Sequence, residues 1–160
     1  MRPQLGSYFA TAQTWGPRSL FQVDELARLF IETLYNYRSQ RNYLLHEFVI
    51  MPNPIHLIIT PTGVTLERTM QLTKGGYSHS WRVPGRPTLE VWQPGYTDHR
   101  IRDEEDWAQH VEYVHLNPVR AHLCSQPEEF RYSSAYGLYE LDPIPQRLKP
   151  VVLEDERRRG

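Results

Sequence analysis

The sequence predicts one α+β domain, an antiparallel sheet with helices over one face. Three patterns point that way. Residues 43–51 and 55–60 are apolar, strand-like runs joined across Pro52 and Asn53, which reads as a hairpin. Residues 22–40 place Val23, Leu26, Leu29, Phe30, Leu34 and Tyr37 at helical spacing. Residues 6–14 alternate aromatic and small side chains, as a strand does.

The first strand is broken by Trp15-Gly16-Pro17-Arg18. The first helix then carries Asp24 and Glu25 in its opening turn, where the helix dipole favours negative charge. Pro61-Thr62-Gly63 ends the hairpin. The next helix covers residues 65–73, Gly75-Gly76 marks a break or a close backbone approach, and helix resumes to Trp81. Pro84-Gly85-Arg86-Pro87 reads as a loop and residues 89–93 as a short strand. The clearest helix spans residues 103–117. Asp103, Glu104, Glu105 and Asp106 load its start, and Pro118 is expected to stop it. From Pro143 the chain is proline-rich and reads as extended or poorly ordered, so the domain is drawn as 1–142 with a tail of 143–160.

At 160 residues the chain can bury its own core. No apolar run approaches the length of a membrane span, and the start lacks the basic and apolar stretches of a signal peptide. The single cysteine, Cys124, excludes an intrachain disulfide framework and fits a reducing cytoplasm. Net charge is −1, but residues 1–100 hold 10 Lys/Arg against 7 Asp/Glu while residues 101–160 hold 8 against 12. A phosphate-binding face is therefore expected mainly in the first two thirds.

On the long helix Trp107, Val111 and Val114 form an apolar stripe. His110, Tyr113 and Asn117 fall on an adjacent face at spacings of three and four, so a phenol and a carboxamide project together beside the buried seam. His110 and His115 read as surface or supporting residues. Between Arg68 and Arg86 the basic residues Arg68, Lys74, Arg82 and Arg86 interleave with Tyr77 and Trp81. Cations beside aromatic platforms and a glycine pair suit single-stranded or hairpin DNA; a solvated helix face is the alternative.

Three segments carry a resemblance. Met51-Pro52-Asn53-Pro54-Ile55-His56 opens the second strand of the hairpin, Tyr96-Thr97-Asp98-His99-Arg100-Ile101-Arg102 precedes the long helix, and Tyr113-Val114-His115-Leu116-Asn117-Pro118-Val119-Arg120-Ala121 closes it. In this order they resemble the REP-associated tyrosine transposases, single-strand DNA transposases of the His-hydrophobic-His class. The motif at residues 130–136 is similar to the family's closing motif. The resemblance covers roughly residues 5–137 and implies a ferredoxin-like palm with a catalytic helix packed alongside. It implies Tyr113 as nucleophile, His56 and Asn117 as ligands of Mg²⁺ or Mn²⁺, and His99, Arg100 and Arg102 as phosphate contacts. It also implies a cytoplasmic enzyme, monomer or homodimer, that cleaves and rejoins single-stranded or hairpin DNA through a 5′-phosphotyrosine link.

One position departs from the pattern. The first histidine of the pair is Pro54, which has no ligand atom. Either catalysis is lost and DNA binding kept, or a neighbour substitutes. Alternation along the strand puts Glu47 on the face of His56 and diagonal to it, while a one-residue register slip would exchange Glu47 for His46.

Overall fold

The computed structural model describes residues 5–15, 19–81 and 91–148. Its sheet has four antiparallel strands in the order β2-β3-β1-β4. The strands are β1 (Ser7–Ala12), β2 (Tyr43–Ile50), β3 (Ile55–Pro61) and β4 (Thr97–Ile101). Helices α1 (Asp24–Ser39), α2 (Leu66–Trp81) and α3 (Glu104–Arg120) complete a β-α-β-β-α-β core with one added helix. This is the expected α+β, ferredoxin-like arrangement.

Alternation along the strands sorts side chains to two faces. Ala10, Ala12, Phe48, Ile50, Ile55, Leu57 and Ile59 bury against α1 and α2. Phe9, Val49, Ile58 and Ile101 face α3, where Val114, Trp107 and Val111 meet them. The aromatic residues Phe21, Phe30, Tyr77 and Trp92 interlock on the first face, with ring centroids 5.5–5.8 Å apart. Such pairs favour tilted and edge-on contacts over flat stacking.

Register brings one correction to the hairpin. A bulge between Leu45 and Glu47 breaks the β2–β3 ladder. The extra residue turns His46 to the α3 face as well, where its ring lies 5.0 Å from that of Trp107 and its Nε2 is bonded to Thr60 Oγ1 at 2.8 Å. A bulge adds one residue to one strand and shifts its alternation, so Tyr43 and Leu45 face α1 and α2 while Glu47 and Val49, also odd-numbered, face α3. Glu47 and His46 are therefore not alternatives set by register, because both face α3.

Three further expectations change. Helix α2 runs through Gly75-Gly76 without a break. A Cβ at Gly76 would collide with the ring of Tyr37, so the glycine lets α1 and α2 approach. Helix α3 continues through Pro118, which lies inside its last turn. Proline there forfeits one backbone bond near the end, and Pro118 is itself buried under the helix, which offsets the loss. The strand expected at residues 89–93 reduces, within the described residues, to a single bridge between Trp92 and Thr14. The fourth strand is instead Thr97–Ile101, whose first four residues are exposed and polar.

After α3 the chain returns along the outer edge of β2. Ile50 donates its N–H to the carbonyl of Tyr132, Phe48 to Ser134 Oγ, and Leu45 to Asp142 Oδ2, while Asp142 donates to the carbonyl of Leu45. Asp142 also takes the two-pronged Arg38 guanidinium at 2.9 Å. Within the tail, Ile144 packs on the α3-side cluster and Leu148 is fully buried in it. Residues 149–160 lie outside the described residues. Among those described, no helix is long and apolar enough to cross a membrane.

Candidate active site

The site forms where α3 crosses β3 and β1. Asp103 caps α3 by accepting from the Asp106 N–H at 2.8 Å, and the acidic first turn suits the helix N-terminus. Val114 and Pro118 bury, which rotates Tyr113 to the margin of the sheet with 41% of its surface exposed. There it meets His56 edge-on, with ring centroids 5.4 Å apart. The central residue is Phe9 of β1. Its ring stacks on His56 at 5.3 Å and touches His110 at 5.0 Å and Tyr113 at 5.6 Å.

His56 is 5% exposed, and burial pushes its imidazole down to about 4, so it is neutral at pH 7. Its Nδ1 is hydrogen-bonded to Thr11 Oγ1 at 2.8 Å, leaving Nε2 for another partner. Asn117 stands one turn beyond Tyr113 on α3, half-buried.

Glu47 is committed elsewhere. Its Oε2 meets His115 Nε2 at 2.9 Å and also accepts from Ser134 Oγ. The Glu47 carboxylate holds the His115 imidazole above its usual range, which favours a charged pair across β2 and α3. Thus Glu47 clamps α3 and the segment after it to the sheet. The sequence carries a hint of this: His115 falls two residues from Tyr113, toward the other side of the helix.

Pro54 follows a cis peptide in the hairpin turn, and Asn53 is occupied by Thr14, whose N–H donates to Asn53 Oδ1 at 3.0 Å. The donors remaining at the implied metal position are one imidazole nitrogen and one carboxamide. Mg²⁺ and Mn²⁺ favour oxygen-rich shells that usually include carboxylates. The residues present therefore do not fit a divalent cation at that place.

The expected DNA-contacting residues divide. Arg68, Arg100 and Arg102 are exposed. Lys74 is partly buried and donates to the carbonyls of Gln93 and Gly95 at 3.2 and 2.5 Å. Burial lowers its ammonium below the usual range. Tyr77 and Trp81 correct the idea of stacking platforms. They belong to the inward stripe Thr69, Met70, Thr73, Tyr77 and Trp81, at the three- and four-residue spacing that a continuous α2 imposes. Arg82 and Arg86 lie outside the described residues. His99 of β4 faces α3, where its Nε2 contacts both oxygens of Asp106 at 2.8 and 3.0 Å.

No family model matches the chain. It is 24% identical over 144 residues to the REP-associated tyrosine transposase of Escherichia coli strain K12, covering 86% of this chain and 84% of that one. An uncharacterized protein of Haemophilus influenzae is 33% identical over 97 residues, 47% of this chain and 54% of its own length. Among solved structures, a REP-associated tyrosine transposase bound to a REP hairpin superposes with a TM-score of 0.69 at 22% identity, over 95% of this chain and 98% of that one. The chain is thus similar along most of its length to a REP-associated tyrosine transposase, and it shares the fold of one solved with a REP hairpin.

Proposed function

We propose that the protein binds hairpin and single-stranded DNA and presents Tyr113 to cleave and rejoin it. The observation that carries this is the placement of Tyr113, an accessible phenol beside the family's remaining histidine, His56. In the proposed reaction Tyr113 Oη attacks the scissile phosphorus, and the Tyr113 proton passes to solvent. The P–O3′ bond breaks and the leaving oxygen takes a proton from solvent, leaving a 5′-phosphotyrosine and a 3′-hydroxyl. Attack by a 3′-hydroxyl reverses the step, and the stored ester removes any need for ATP. His56 and Phe9 hold the ring in place, and the Glu47 clamp fixes the helix that carries it. Arg68, Arg100 and Arg102 supply exposed charge for the phosphate backbone. No step is assigned to a metal at His56 and Asn117.

Pro54 and the engagement of Glu47 favour a second reading, in which the hairpin is bound and no strand is cut. A labelled hairpin oligonucleotide incubated with protein, with and without Mn²⁺, separates the two. The first reading expects salt-sensitive binding and a covalent adduct that Tyr113→Phe abolishes while binding persists. Binding with no adduct under any condition leaves the second. Absence of binding at low salt would defeat both.

A further inference from the structure

We propose that His99, Asp106 and His110 form a divalent-metal site of their own, beside Tyr113 and separate from the position that Pro54 has depleted. One ligand atom from each lies within 4.8 Å of the others. The three come from two elements. His99 points from β4 towards α3, because it pairs with Phe9, whose ring packs on the same side. Asp106 and His110 stand one turn apart at the start of α3.

The Asp106 carboxylate sits between two imidazole nitrogens, His99 Nε2 at 2.8 Å and His110 Nδ1 at 3.1 Å. A divalent ion seated among these atoms would convert three neighbouring groups into three ligands. Ligand atoms about 2.1 Å from a tetrahedral ion lie roughly 3.4 Å apart, and the three atoms here already lie within 4.8 Å of one another. The chief loss is the bond from His110 Nδ1 to the Asp106 carbonyl, 2.8 Å.

Two imidazoles and a carboxylate without thiolate suit Mn²⁺, Fe²⁺, Co²⁺ or Zn²⁺ better than Mg²⁺ or Ca²⁺. The supporting contacts are in place. The Arg102 N–H donates to Asp106 Oδ2 at 3.1 Å, and the Asp103 cap fixes the turn that carries Asp106. The imidazoles stack at 4.6 Å with 15° between their planes, which presents them as a pair. The His99 side chain is 48% exposed, so an ion can enter and keep open positions for water or an anionic ligand. His110 is one turn before Tyr113, and both rings rest on Phe9. The site would thus put a cation on the tyrosine's side of α3 where the signature position has lost a ligand.

Binding is read directly by titrating the full-length protein with Mn²⁺ by electron paramagnetic resonance, and with Co²⁺ by visible absorption. One ion per chain is expected. His99→Gln and His110→Gln should each weaken it about tenfold or more, with unchanged circular dichroism, while His56→Gln leaves it intact. No saturable binding by either ion would show a hydrogen-bonded trio only and overturn the site. So would binding lost in His56→Gln but kept in the other two variants. DNA binding and cleavage play no part in the readout.

Discussion

The two faces of the sheet are built on different principles. Under α1 and α2 lies a continuous apolar layer with an interlocked aromatic centre. Under α3 the apolar cluster is small and threaded with polar groups: His46, His56 and Thr60 are buried among it, and Glu47 bridges to His115. The first face supplies stability through area and packing density. The second supplies position, because directional bonds fix the rotation and height of one helix. Position is what the second face must deliver, since α3 carries Tyr113, His110 and Asn117.

The contrast can be broken at its strongest point by Phe30→Ala, which hollows the aromatic layer. A loss of about 3–5 kcal/mol is expected in chemical denaturation, with the whole domain affected. On the other face, Glu47→Ala removes the clamp and takes the carboxylate away from His115, while Ser134 keeps its bonds to the Phe48 backbone. The expected cost is smaller, about 1–3 kcal/mol, and hydrogen exchange should report it first in α3. An equal loss of protection in α1 would show that the faces are not separable.

Acid should sharpen the same division. Burial holds His46 below its ordinary 6.5, so its contribution is complete above pH 6.5 and declines as pH falls toward the folded value. Burial opposes ionisation of Asp142, but the Arg38 fork and the Leu45 N–H keep its carboxyl below 3.8. That contribution is present above pH 3.8 and is lost as pH falls further. Melting temperature should therefore drop in two stages on acidification, and His46→Gln should remove only part of the upper one, because buried His56, pushed down to about 4, loses its contribution over the same range. The smallest effect belongs to Tyr113→Phe. An exposed hydroxyl contributes little, so stability should stay within about 0.5 kcal/mol. A larger loss would make Tyr113 a structural residue and weaken its assignment as nucleophile.

Much of this was legible in the chain. The β2–β3 hairpin and the two long amphipathic helices announce themselves by period, and the shared helix face of Tyr113 and Asn117 by spacing, while the roles proposed for them come from the resemblance. Other features escape for physical reasons. Strand β4 is a polar edge strand with only Ile101 buried, so no apolar alternation marks it. Gly75-Gly76 signals freedom, but whether the chain turns or another helix approaches depends on Tyr37, which lies on α1. The bulge at Leu45/Glu47 leaves the residue types unchanged while altering which face they share. The His99–Asp106–His110 cluster spans a strand-to-helix connection, so linear spacing does not reveal it.

The returning segment along β2 has a consequence for solubility. An edge strand offers unpaired backbone groups as a template for another chain, and β2 is rich in the apolar residues that make such templates adhesive. Here Leu45, Phe48 and Ile50 already donate their outward N–H groups to residues between 132 and 142. A chain cut ahead of residue 130 would bare that edge. Intermolecular strand pairing would then compete with folding, so residues 130–142 serve as a built-in guard against self-association.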